Sequence, residues 1–272
     1  MLELPEVLAL SSQLEQNVTG KIVSHVYPPT KVHKFCWYNG EPGEYEDGLK
    51  GKTIAGAAGF GIFCEISFEG GKRLCFNDGV NVRLMPEEKV PKNYQLMISF
   101  EDGTALVFTV AMYGGIILHD QDYDNEYYDK SKGFVSPFSD GFKEYYWTMI
   151  GKSKPTLSIK ALLATEQRFP GIGNGVIQDI LFKAHINPKS KLESLSQDER
   201  EQLLECTISV LREITDQGGR DTEKDLFGNP GGYKTQLSKN TWKAGCPVCG
   251  GMITKEAYLG GSVYYCPVCQ PK

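Results

Sequence analysis

No stretch of this 272-residue chain comes near the roughly 18 consecutive apolar residues that a membrane-spanning helix requires, so a membrane role is not expected. The opening Met1-Leu-Glu-Leu-Pro-Glu6 has no basic segment ahead of an apolar run, so a secretory signal is not expected either. No internal repeat or low-complexity tract interrupts the sequence. A net positive charge is also lacking. The total is −5, which by itself argues against a partner made of phosphates. The distribution changes that argument. Residues 1–149 hold 13 basic and 21 acidic side chains, a net of −8, whereas residues 150–272 hold 16 and 13, a net of +3. Only the C-terminal half is suited to face a polyanion, and the N-terminal half is acidic for such a task.

What is present is most specific at the C-terminal end. Cys246-Pro-Val-Cys249 and Cys266-Pro-Val-Cys269 are two Cys-x-x-Cys pairs sixteen residues apart. Each pair makes a tight knuckle with two thiolates facing one point, and the spacing is that of a zinc site. The interval suits a β-hairpin, with Gly260-Gly261 as the candidate turn. Four cysteines leave no open coordination position, so one structural Zn2+ is expected, not a catalytic one. Two disulfides or four inert thiols are the competing reading. Cys36, Cys64, Cys75 and Cys206 follow no pattern and read as free buried thiols. With a zinc tetrathiolate they point to a reducing, cytoplasmic compartment.

Residues 4–18 read as a helix. Pro5 suits its first turn, and Val7, Leu10, Leu14 and Val18 form one stripe. Glu3 and Glu6 stand at its start, where simple N-terminal capping accounts for both. From Gly20 to about His119 the runs are short and alternating: 21–26, 61–68, 72–76, 95–100 and 105–111. Glycine-bearing turns divide them, the pattern of a sandwich or barrel. His33-Lys34-Phe35-Cys36-Trp37 interleaves cations and rings, as a base or phosphate contact would, and also as a half-buried strand would. Residues 120–140 are acidic, then rich in Tyr, Lys, Ser and Gly, and read as a linker. Helical spacing follows: Leu157, Lys160, Ala161 and Ala164; a break at Phe169-Pro-Gly-Ile-Gly-Asn174; then Val176, Ile177, Ile180 and Leu181. Ser196-Gln-Asp-Glu199 is a capping box ahead of Leu203, Leu204, Ile208 and Leu211, and Gly218-Gly219 ends that helix.

The run from Ile159 to Gln167, Gly171-Ile-Gly-Asn174 and Asn187-Pro188 resembles the helix–two-turns–helix module of the Fpg/Nei DNA glycosylases. In the same order lie Leu4-Pro5-Glu6, Gly218-Gly219, Gly232-Tyr233 and a four-cysteine hairpin closing at Cys269-Gln270, so the resemblance spans the chain. It implies an α+β multidomain protein with an N-terminal helix and β-sandwich, 1–125. A linker, 126–145, a helix–two-turns–helix domain, 146–235, and a zinc-finger hairpin, 240–272, would follow. It also implies a monomer that binds damaged or abasic double-stranded DNA, flips a nucleotide out and cuts its glycosidic bond. Lys160, Gly173 and Asn174 would meet phosphates, and Arg220 and Lys224 would belong to a loop over the flipped base. As a residue reading, Gly171 and Gly173 let a backbone approach a phosphate at a helix start, while Asn174 is equally a plain N-cap.

The chain departs from the family pattern in several places. The family's nucleophile is an N-terminal proline left after removal of the initiator methionine; here position 2 is Leu2. A following leucine disfavours that removal, so the available amine would be Met1, about 3.8 Å of chain from the expected place. The family's hairpin lysine falls at Phe60, its void-filling methionine near Val80, and its zinc-finger arginine at Gly261. Its inserted arginine has no counterpart in Thr109–Gly114. Tyr113 is the candidate to stack in the vacated space. Glu3 and Glu6 keep their places, and Asp78 lies nearby in sequence register. Three readings follow. One is a water-using glycosylase in which Glu3 or Asp78 orients the water, with little lyase activity. The second is a glycosylase/lyase with a relocated amine, Met1 or Lys34. The third is a non-catalytic binder of damaged or abasic nucleic acid.

Overall fold

A computed structural model of the chain describes residues 1–120 and 123–272. Gln121 and Asp122, within the acidic stretch expected as a linker, lie outside the described residues. The first helix, α1 (Leu4–Val18), has the expected bounds. Its stripe of Val7, Leu10, Leu14 and Val18 is buried against the sheets.

The strands that follow form two sheets. They are β1 (Val23–Tyr27), β2 (Cys36–Trp37), and, after a short helix α2 (Tyr45–Leu49), β3 (Ile54–Phe60), β4 (Phe63–Phe68), β5 (Arg73–Asn77), β6 (Val80–Pro86), β7 (Leu96–Phe100), β8 (Thr104–Val110) and β9 (Gly114–His119). One sheet runs β1-β7-β8-β6 and the other β2-β9-β5-β4-β3, antiparallel throughout except for the β2–β9 pair. The pattern that left sandwich and barrel open resolves as a sandwich. Its core is Leu74, Phe76, Ile98, Phe108 and their neighbours, with α1 along β3 and β4.

The segment read as a linker contains α3 (Glu126–Lys132). Its composition looks unstructured because the anchor is one ring. Tyr128 is buried edge-on against Phe60 and Phe63, centroids 5.5 and 5.6 Å away. Its hydroxyl donates to buried Glu65, which Arg73 neutralises at 2.6 Å.

The helical half comprises α4 (Phe142–Lys152), α5 (Ile159–Ala164), α6 (Val176–Lys183) and α7 (Gln197–Asp216), around a core separate from that of the sandwich. Leu157 lies before α5, whose N-cap is Ser158. The capping box of α7 is formed in both directions, with Ser196 Oγ accepting from Glu199 N–H and the Glu199 carboxylate accepting from Ser196 N–H. The chain ends in the hairpin β10 (Thr254–Tyr258) and β11 (Gly261–Tyr265). Its turn is Leu259-Gly260, not Gly260-Gly261. Both turn residues have positive φ, 47° and 74°, as a two-residue hairpin turn requires. No helix among the described residues is long and apolar enough to cross a membrane.

Candidate active site

The N-terminus of α1 and the N-terminus of α6 meet, and the meeting is built from glycines. A Cβ on Gly171 would lie 2.6 Å from both the Gly61 carbonyl oxygen and Leu4 Cβ, and one on Gly173 would lie 2.7 Å from Glu3 Oε1. These glycines were expected to admit a phosphate; they admit the sandwich domain. The free N–H groups at the start of α6 are likewise taken from within. Gly175 N–H donates to Glu3 Oε1 and Val176 N–H to Glu3 Oε2, both at 2.7 Å. Glu3 therefore caps α6 as well as preceding α1.

Arg220 completes the arrangement. It is 3% exposed, and it donates from Nε and Nη2 to the two oxygens of Glu6 at 2.9 and 2.7 Å, with Nη1 3.6 Å from Glu3 Oε2. Its own backbone N–H donates to Glu6 Oε1 at 3.0 Å. Gly175 makes room for the guanidinium, since a Cβ there would lie 1.3 Å from Arg220 Nη1. Burial raises the Glu3 carboxyl above the ordinary carboxylate range, against the pull of Arg220, with the Glu6 charge adding to the rise. Burial also opposes the Arg220 charge, but Glu3 and Glu6 hold it firmly protonated.

These residues border a cavity of about 210 Å³ that Met1, Glu3, Asn174, Arg220, Glu223 and Leu237 help to line. The Met1 amine is ion-paired with Glu223 at 2.6 Å. The Leu2 N–H donates to the Asp78 carbonyl at 2.7 Å, with Asp78 at φ 53°. Burial raises the Asp78 carboxyl, and the nearby N-terminal ammonium opposes that rise. The Tyr113 hydroxyl lies 3.6 Å from Met1 Sδ. Met1, Glu3 and Arg220 thus share this cavity, with Glu6 behind Arg220. Asp78 and Tyr113, expected beside them, touch the Met1-Leu2 segment but line a neighbouring cavity, and Lys224 is exposed on the loop.

The residues expected at phosphates are placed differently from one another. Asn174 lines the cavity, and its side chain occupies the space where Gly261 lacks a Cβ, 2.7 Å from that position. Its Oδ1 is buried with no partner among the described residues. Lys160 is not a surface lysine: it is 1% exposed, and its Nζ donates to the Tyr258 carbonyl at 2.5 Å beneath the hairpin turn. Burial pushes its ammonium down to about 8.

Sequence reasoning missed three working residues. Glu223 reaches the N-terminal amine from a loop that showed only dense charge. Gln178 ties α6 to the hairpin, donating to the Ser262 carbonyl at 3.1 Å and accepting from Tyr264 N–H at 3.0 Å. Asp179 accepts from Gln236 and Leu237 N–H at 2.9 and 2.8 Å, which holds a cavity wall; burial pushes it up to about 6. The signal for the last two was available: a Gln-Asp pair between the apolar Val176-Ile177 and Ile180-Leu181-Phe182 of one helix.

The four C-terminal cysteines meet at one point, with all Sγ atoms within 4.8 Å of one another. The Cys246–Cys269 and Cys249–Cys266 Sγ separations are 3.7 and 3.5 Å. Ligands at about 2.3 Å from a tetrahedral metal lie roughly 3.8 Å apart, so the cluster has the dimensions of a metal tetrathiolate and not of disulfides. Gln270 accepts from Cys266 N–H and donates to the Ile186 carbonyl, fastening the knuckle to the helical domain.

No family profile matches the chain. Relatives nevertheless align along its entire length. It is 26% identical over 281 residues to the formamidopyrimidine-DNA glycosylase of Bacillus cereus (strain ATCC 10987 / NRS 248), both chains fully covered. It is 27% identical over 285 residues to the same enzyme of Lactobacillus delbrueckii subsp. bulgaricus, again with full coverage of both. The fold superposes on Lactococcus lactis Fpg in complex with abasic-site-containing DNA with a TM-score of 0.84 at 22% identity, covering 99% of this chain and 100% of that one. For the Lactococcus lactis complex with Fapy-dG-containing DNA the TM-score is 0.81 at 23% identity, with the same coverage.

Proposed function

The chain is a divergent member of the Fpg/Nei family, and from that premise we propose that it is a DNA repair glycosylase that binds damaged duplex DNA and hydrolyses the N-glycosidic bond of an extruded base. The observation that carries this reading is Glu3, a buried carboxyl with raised proton affinity on the wall of a 210 Å³ cavity. Such a group suits proton transfer to and from a substrate or water in the cavity. Glu3 takes a proton from the attacking water, and its charge stabilises the oxocarbenium ion that develops as the C1′–N bond breaks. Arg220 holds Glu6 and keeps the wall charged and ordered, and Asn174 offers its amide to the DNA backbone.

Met1 supports a second reading. Its amine opens on the same cavity and, once released from Glu223, is a candidate to attack C1′ and form an imine, which adds strand cleavage to base release. Both readings are tested by base release from duplexes each carrying one lesion, half of each reaction treated with hot alkali and half with borohydride. Alkali-dependent breaks without a trapped adduct are the expected result. A trapped adduct transfers the chemistry to Met1. Absence of release from every lesion, with tight binding, replaces the enzyme by a binding protein on the same frame.

The tetrathiolate holds one structural zinc ion in this reading, with no coordination position open to substrate. Chelation is expected to release the hairpin from Lys160, Asn174 and Gln178 and to weaken DNA binding by about tenfold or more. That is the scale of losing one hydrogen bond to a charged group, ~1.5–3 kcal/mol. Anisotropy titrations before and after chelation, with zinc added back, check this; unchanged affinity removes the hairpin from the interface. Free thiols at Cys36, Cys64, Cys75 and Cys206 favour a reducing, cytoplasmic setting, and a cleft complete within one chain favours a monomer.

A further inference from the structure

A second cavity, of about 510 Å³, lies on the other side of the wall formed by Met1, Tyr113 and Asp78. It is more than twice the size of the one at Glu3, and its lining is of another kind. Trp37, Tyr113, Tyr123 and Tyr127 line it, together with the amide residues Asn77, Asn125 and Gln167 and the carboxyl of Asp78. The Asn77 Oδ1 already accepts from Gly115 N–H, and the Asn125 Oδ1 from Tyr127 and Tyr128 N–H. The carboxamide NH2 groups are therefore what these residues can present to a ligand.

Exposed rings are gathered at this site. Most large rings of the two cores are enclosed, with Phe76, Phe108, Phe142, Tyr146 and Phe169 at most 1% exposed, although Phe35 and Phe227 are 49% exposed outside this cavity. Here Trp37 is 52% exposed, Tyr127 57% and Tyr113 37%, with Met112 at 66% beside them. Trp37 and Tyr113 are neighbours, their ring centroids 6.3 Å apart at an interplanar angle of 59°. Exposed rings around a concave surface are costly to maintain without a partner.

The electrostatics narrow the choice of partner. This half of the chain carries a net charge of −8, so phosphates are not what it attracts. Stacking on an aromatic face needs no positive charge and accepts any base, because every base has a π-face. Amide NH2 groups supply hydrogen bonds to the carbonyl and ring-nitrogen acceptors of a base edge.

We infer that the cavity at Trp37, Tyr113 and Tyr127 is a second nucleobase site, which takes an unpaired base of the bound DNA while the cavity at Glu3 takes the damaged one. The inference rests on the DNA-binding reading above. It also explains why an acidic domain serves a DNA protein: the sandwich contributes rings, and the helical half contributes the positive field.

The test uses the full-length protein and three labelled DNAs: a fully paired duplex, the same duplex with one unpaired nucleotide, and an oligo-dT single strand. Anisotropy titrations compare the wild type with Trp37→Ala, Tyr127→Ala and Trp37→Phe. Both alanine sites are more than half exposed, and far-UV circular dichroism confirms that each variant is folded. The wild type is expected to prefer the unpaired and single-stranded DNAs. Each alanine variant is expected to lose roughly tenfold of that preference, the loss one base–aromatic stack carries, with affinity for the paired duplex unchanged. Trp37→Phe retains most of it. Equal preference in the wild type and both alanine variants, or a Trp37→Phe loss as large as that of Trp37→Ala, overturns the second site and leaves the glycosylase reading standing. A wild type that binds no DNA overturns both.

Discussion

Glu3→Gln is expected to lower single-turnover base release by about 10²- to 10⁴-fold, the usual contribution of a positioned acid–base group, while the variant still binds lesion-containing duplex. The substitution keeps the size of the side chain and one oxygen to accept from Gly175 or Val176 N–H, now at 2.7 Å each. Glu6 continues to hold Arg220 through two hydrogen bonds. What is lost is the carboxylate that can take a proton. Because burial raises this carboxyl, the acid limb of the wild-type rate profile should lie above the ordinary range of about 4.3. The rate falls as pH drops through that limb, since protonation removes the base. The glutamine variant should show no such limb. If Glu3 serves only as the cap of α6, Glu3→Gln lowers the unfolding midpoint and leaves the rate per folded molecule and its pH profile unchanged. Thermal melts and rates measured on one preparation separate the two roles.

The parts of this molecule that were legible in its sequence are those that depend on neighbours in the chain. The stripe of α1, the capping box at Ser196 and Glu199, and the Cys-x-x-Cys knuckles are local devices, and they stand where the spacing put them. The turn at Leu259-Gly260 escaped by one residue because Gly261 looked equally suited to it. Gly261 has a different reason to be glycine: the side chain of Asn174, 87 positions earlier, fills its Cβ space. The helix in the supposed linker escaped because its anchor is a single tyrosine whose partners lie on β3 and β4. Lys160 shows the limit most plainly. The family resemblance implied a phosphate ligand there, and only the folded hairpin reveals a carbonyl accepting from it.

The centre of the site was illegible for the same reason. Glu3 and Glu6 were visible as acidic residues at a helix start, and Arg220 as one cation in a charged loop. Their partnership spans more than 200 residues of sequence. Residue types alone could not say whether the two carboxylates faced solvent, a substrate or each other. The structure adds the third charge, and with it the explanation for Gly175, which is bare because the guanidinium passes there.

Arg220→Ala is accordingly expected to destabilise the fold by about 3–5 kcal/mol, the cost of removing one partner from a buried ion cluster. Two carboxylates, each no more than 6% exposed, would face each other without a counter-charge. Glu6 would lose both guanidinium hydrogen bonds and keep only the one from the backbone N–H of residue 220. Against a total stability of 5–15 kcal/mol typical of a domain, the loss is large enough to shift the urea midpoint clearly at constant slope. Arg220→Lys should recover only part of it, because one ammonium cannot donate along both oxygens of Glu6 in the planar geometry of a guanidinium. Acidification should narrow the gap between wild type and Arg220→Ala, since protonating a buried carboxylate removes the uncompensated charge. Arg220→Met combined with Glu6→Leu should be milder than Arg220→Ala alone, as replacing a buried pair by apolar groups is nearly neutral whereas breaking it is not. A midpoint for Arg220→Ala equal to that of the wild type would mean that water already reaches the cluster. Glu3 would then stand in a wet pocket, with no reason for a raised proton affinity and no claim to the chemistry assigned to it.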